Sequence, residues 1–127
     1  MQMPPRSGGS WRAARRNLKD SAATNISPEN RFDAAYKTIM QSALVALMAS
    51  GFIPDTKRPG HHATTLQSLP KTIGIEGDRI AVLDVLRRKR NLSDYTGEDI
   101  DEGSVEACRA EAKRLLGEVE AWLEKHR

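Results

Sequence analysis

Cysteine is nearly absent from this chain of 127 residues, whose one thiol is Cys108. A single cysteine excludes an internal disulfide and fits a reducing compartment. Aromatic residues are scarce too: two Phe, two Tyr and two Trp leave the core to Leu, Ile, Val, Ala and Met, a filling typical of helical domains rather than sheets. No run reaches the ~18 consecutive apolar residues of a membrane span, and the opening residues lack the apolar segment of a secretory signal, so a cytoplasmic protein is expected. Glycine-rich phosphate loops, nucleophile elbows and internal repeats are missing as well, and nothing in the sequence asks for a cofactor.

At this length one domain fits, with a core that buries roughly two-thirds of the unfolded surface. The net charge of +3 hides an asymmetry: residues 1–97 carry fifteen Lys/Arg against eight Asp/Glu, whereas residues 98–127 carry five against nine. A basic body with an acidic C-terminal segment can bind nucleic acid or pair with itself.

Residues 1–9 place Pro4, Pro5, Gly8 and Gly9 among polar neighbours without periodicity, which reads as a flexible tail ahead of a single domain over 10–127. Ser10 is positioned to cap a first helix to about Thr24, with Trp11, Ala14, Leu18 and Ala22 on one side. Arg12, Arg15, Arg16 and Lys19 surround the rest and offer a face to phosphate. Ser27 followed by Pro28 signals the next helix, running to Ser50 and ending at Gly51. Its apolar residues, from Phe32 to Met48, are so numerous that little polar face remains, which makes it the central helix.

Phe52 to Gly60 reads as a loop. His61 and His62 then open a short helix in which His62, Leu66, Leu69 and Ile73 share a face and His61 lies about 100° away. Adjacent histidines on a helix point apart, and with one further histidine and an isolated Cys108 no closed zinc set assembles, so no metal site is expected. Pro70 to Gly77 reads as a connection, with Asp78 capping a third long segment from Arg79 to about Arg90. After a turn at Tyr95 to Gly97, an acidic loop lacks the spacing of a calcium site. Ser104 is positioned to cap the last helix, whose stripe holds Val105, Cys108, Ala112, Leu115, Leu116, Val119, Trp122 and Leu123. The pattern is all-α: an up-and-down bundle of four to five helices.

Asp84 to Gly97 concentrates the polar chemistry. Leu83 and Leu86 mark a buried stripe, and Arg90 follows them at seven and four residues, on the same inward face. Asp84 and Arg88 point away, in the favourable i,i+4 order. An inward arginine needs partners, and Asn91, Asp94 and Tyr95 are the nearest in sequence.

In residues Arg31 to Tyr36, Gly60 to His62 and Arg88 to Tyr95, the chain resembles the HEPN superfamily, most of all its small stand-alone bacterial members. That family's signature is an arginine, commonly followed by a polar residue, then three residues and a histidine. Arg90 and Asn91 match, and Tyr95 stands where the histidine belongs. The resemblance implies an HEPN-like RNA- or nucleotide-binding domain, forming a homodimer with a composite groove and belonging to a toxin–antitoxin or defence system, with an antitoxin or toxin as protein partner. Its ligand-binding residues become Arg90, Asn91, Asp94, Tyr95, His62 and Arg31. A phenol of pKa about 10 is a poor general base near neutrality, so the non-catalytic form is expected. One alternative is a metal-independent endoribonuclease with Arg90 as electrostatic stabiliser and Tyr95 or His62 as acid-base group. The other is an interaction module in which the Arg90 cluster is purely structural.

Overall fold

The structure, a computed structural model, describes residues 5–52 and 60–126. Six helical segments follow one another: α1 (Pro5–Asp20), α2 (Pro28–Ala49), α3 (His61–Gln67), the single turn α4 (Leu69–Thr72), α5 (Gly77–Thr96) and α6 (Glu102–Lys125). With α3 and α4 abutting at Ser68, the described residues form an all-α bundle of five helices and contain no strand.

α2 is central because it is apolar almost all round. It buries Phe32, Ala35, Tyr36, Ile39, Ala43, Val45 and Ala46, and packs mainly on α1 and α6, with α3, α4 and α5 against its remaining side. Alanines permit close approach, and buried hydroxyls on α2 need partners. Thr38 Oγ1 donates to the Ala14 carbonyl at 2.8 Å, tying α2 to α1. α6 completes the core with Val105, Cys108, Ala112, Leu115 and Val119. Burial raises the Cys108 thiol to about 12, helped by Asp33 and Glu111.

Several boundaries differ from those the sequence suggests. α1 starts at Pro5, taking in Pro5 to Gly9 ahead of Ser10, and stops at Asp20 rather than Thr24. The Pro70–Gly77 connection contains α4, because Pro70 occupies a first-turn position where its missing N–H is harmless. α5 begins with Glu76 in the cap position, while Asp78 accepts the Arg79 amide at 2.9 Å from inside the first turn. It continues past Arg90 to Thr96 and ends at Gly97, whose φ of 71° suits glycine. Asp101, not Ser104, caps α6: its side chain accepts the Ser104 amide at 3.3 Å. Ser27 caps α2 as expected, accepting the Asn30 amide at 3.2 Å. The expected loop from Phe52 to Gly60 lies mostly outside the described residues, as do residues 1–4.

A buried ion cluster fastens the start of α5 to α6. Arg79 is 9% exposed and donates to both oxygens of Glu118 at 2.6 and 2.7 Å and to Glu111 at 3.3 Å. Burial opposes its charge, but the two carboxylates outweigh that and raise its pKa.

Candidate functional site

Arg90 sits on the inward side of α5, one turn beyond the buried Leu86, with its side chain 26% exposed. Its Nε donates to Asp33 of α2 at 3.2 Å and forms an ion pair with Asp94 at the same distance. Its guanidinium lies 5.3 Å from the centre of the Tyr36 ring, a cation–π distance.

Tyr36 leads from Arg90 to His62. The Tyr36 hydroxyl is 2.9 Å from His62 Nδ1. Burial pushes this phenol up to about 12 against the pull of Arg90. Burial also lowers the His62 pKa, reinforced by His61, Arg90 and Arg87. With phenol protonated and imidazole neutral, one proton is shared across this contact, and the His62 tautomer sets which of the two groups donates it.

Of the six residues marked in the sequence, Arg90 and Asp94 pair directly, and His62 joins Arg90 through Tyr36. Asn91 and Tyr95 do not. Asn91 is exposed, and Tyr95 is 94% exposed on the outer side of α5. Five helical residues from Arg90 to Tyr95 turn the side chain through about 500°, away from the arginine. Arg31 is elsewhere, donating to the Ser21 carbonyl at 3.1 Å and to Glu102 of α6 at 2.9 Å. The sequence reading missed Asp33 and Tyr36 as partners of Arg90. A signal existed, since Asp33 and Tyr36 lie three apart on α2 and share a face.

The hollow beside Arg90 holds about 180 Å³ and is lined by Glu29, Asp33 and Asp94 as well as Arg90 and Ser93. Three carboxylates around one guanidinium repel a phosphate, and Arg90 already has anionic partners.

A larger and oppositely charged hollow lies between α1 and α6. It encloses about 570 Å³, with Leu18 and Leu116 in its lining and the cations Arg15, Lys19, Arg109 and Lys113 facing Glu106. Arg15 reaches Glu120 at 3.2 Å, and Arg109 holds Glu106 and the Ser21 hydroxyl. Lys19 and Lys113 have no carboxylate partner among the described residues. Arg12 and Arg16 are exposed on the same helix. No group of three or more His, Cys, Asp or Glu suited to a metal occurs among the described residues.

Comparison with protein-family models, curated proteins and solved structures finds no match to this chain.

Proposed function

We propose that this protein is a non-catalytic RNA-binding domain that holds a single-stranded RNA backbone in the groove between α1 and α6. The observation that carries the reading is the charge of that groove, four cations to one carboxylate around an open hollow of about 570 Å³. Phosphate neutralisation by Lys and Arg supplies most of the affinity in such binding. Lys19 and Lys113 contribute most, because Arg15 and Arg109 must share their charge with Glu120 and Glu106. Trp11, stacked under Arg15 at 5.3 Å, adds an aromatic surface next to Arg15.

RNA is the ligand that the HEPN resemblance implies, and its contact surface lies away from the Arg90 signature of that resemblance. Arg90 serves as a clamp between α5 and α2. Cleavage of RNA needs a base beside the ribose 2′-hydroxyl, and Tyr95 points away from Arg90 while His62 Nδ1 is occupied by Tyr36. A toxin–antitoxin or defence role would place this binding in a two-protein system. The test is a binding titration of labelled single-stranded RNA with charge reversals at Lys19 and Lys113.

A further inference from the structure

Two arginines from different helices converge on Ser21, at the end of α1. Arg31 on α2 donates from Nε to the Ser21 carbonyl at 3.1 Å, and Arg109 on α6 donates from Nε to the Ser21 hydroxyl at 3.2 Å. Ser21 is fully buried, and its hydroxyl donates in turn to the Leu18 carbonyl at 2.5 Å. Both guanidinium groups are thereby pinned beside the groove between α1 and α6. Glu106 stands between them, accepting from Arg109 Nη1 at 3.2 Å and from Arg31 Nη2 at 3.4 Å. Among the described residues it is the one carboxylate in the groove lining.

We propose that Glu106 is a built-in competitor of phosphate: in the free protein its carboxylate occupies Arg109 Nη1, and an RNA phosphate takes that place while Glu106 stays on Arg31. The inference rests on the α1–α6 groove being the RNA site and adds how that site is restrained. Carboxylate and phosphate oxygens seek the same guanidinium N–H groups, so the two anions exclude each other there.

Two features suit Glu106 to the exchange. Arg109 keeps its Nε on Ser21 when Nη1 changes partner, so the guanidinium stays where it is held. Glu106 gives up one of two arginines, so the displaced carboxylate is not left without a cation. Glu120, the other carboxylate on a groove cation, pairs with Arg15 alone among the described residues and has no such second seat. Because the Glu106 side chain is 58% exposed, its hold on Arg109 is weak, which makes the restraint a few-fold loss of affinity rather than a block. Arg31, marked by the sequence as a ligand contact, thus serves the groove indirectly, by positioning Glu106.

Binding of a labelled single-stranded RNA to the full chain, measured over a cycle of Glu106→Gln and Arg109→Ala, tests the proposal. Glu106→Gln raises affinity about threefold in the wild-type background. It also steepens the slope of log affinity against log salt by about 0.7, because the freed arginine releases one more counterion from the strand. In the Arg109→Ala background the same substitution changes affinity by less than about 1.5-fold, since no arginine remains to be freed. Arg31→Gln, which removes the second seat, weakens wild-type binding about twofold and leaves binding by Glu106→Gln unchanged. Circular dichroism of Glu106→Gln stays that of the wild type, because the side chain is exposed. An equal gain from Glu106→Gln with and without Arg109 overturns the proposal, by showing a general effect of charge, and an equal loss from Arg31→Gln with and without Glu106 overturns the second seat. Equal binding by wild type and Glu106→Gln overturns the inference alone, whereas no binding by either at low salt overturns the groove reading and this inference with it.

Discussion

Arg90 Nε and Asp33 Oδ1 meet at 3.2 Å across the junction of α5 and α2, and this pair, with the Tyr36 ring beneath the guanidinium, holds the later half of α5 to the core. Arg90→Ala removes the ion pairs and the stacking together. Partial exposure screens the charge contribution, and the cation–π contact adds about 0.5–1 kcal/mol, so the expected loss of unfolding free energy is about 1–2 kcal/mol. Urea denaturation measures it. RNA affinity in the same variant should stay within about twofold of wild type, since Arg90 is engaged by Asp33, Asp94 and Tyr36 rather than by phosphate.

Burial of His62 beside Arg90 and Arg87 makes stability depend on pH. The His62 pKa is lowered from its ordinary 6.5, first by burial and then by nearby cations. As the pH falls below about 6.5 the unfolded chain takes up the proton before the folded one, so stability drops from there down to the folded pKa. Above that window the contribution is fully present. Urea midpoints measured from pH 7.5 to 5 should fall with acidification, and His62→Gln should flatten that part of the profile. Asp84 and Asp101 have depressed pKa values too, but their losses begin only near the carboxylate range, below about pH 4.

Cys108 should be chemically silent in the folded protein. Its side chain is fully buried on α6, 3.8 Å from the Phe32 carbonyl, and its pKa is raised to about 12. The thiolate is the reactive form, so Ellman's reagent should modify the native chain only at the rate of opening and react at once in denaturant. Rapid modification of the native protein would contradict the placement.

Helical class and core were legible because both are written in local periodicity. The burial of Phe32, Tyr36, Ile39, Leu83, Leu86, Val105, Cys108 and Leu115 follows from three- and four-residue spacing along α2, α5 and α6. Boundaries were less so. α5 runs on through the weak helix formers Asn91, Ser93, Asp94 and Thr96, and stops only where Gly97 adopts positive φ. Sequence proximity gave Arg90 one correct partner, Asp94, but Asn91 and Tyr95 turn outward with the helix. Asp33 and Tyr36 are separated from Arg90 by more than fifty residues, and only packing of α2 on α5 brings them near. The cationic groove escaped notice for the same reason. The basic face of α1 is visible in the sequence, whereas Arg109 and Lys113 belong to a segment whose total charge is negative and join it only through the fold.

RNA binding in the α1–α6 groove is measured by fluorescence anisotropy of a labelled single-stranded RNA titrated with wild type, Arg90→Ala and the double variant Lys19→Glu/Lys113→Glu, each at two salt concentrations. The wild type should bind and weaken as salt rises, Arg90→Ala should match it, and the charge reversal should lower affinity by at least about tenfold while the protein remains folded. Loss of binding in Arg90→Ala with full binding in the double variant, or no RNA binding by the wild type at low salt, would contradict it.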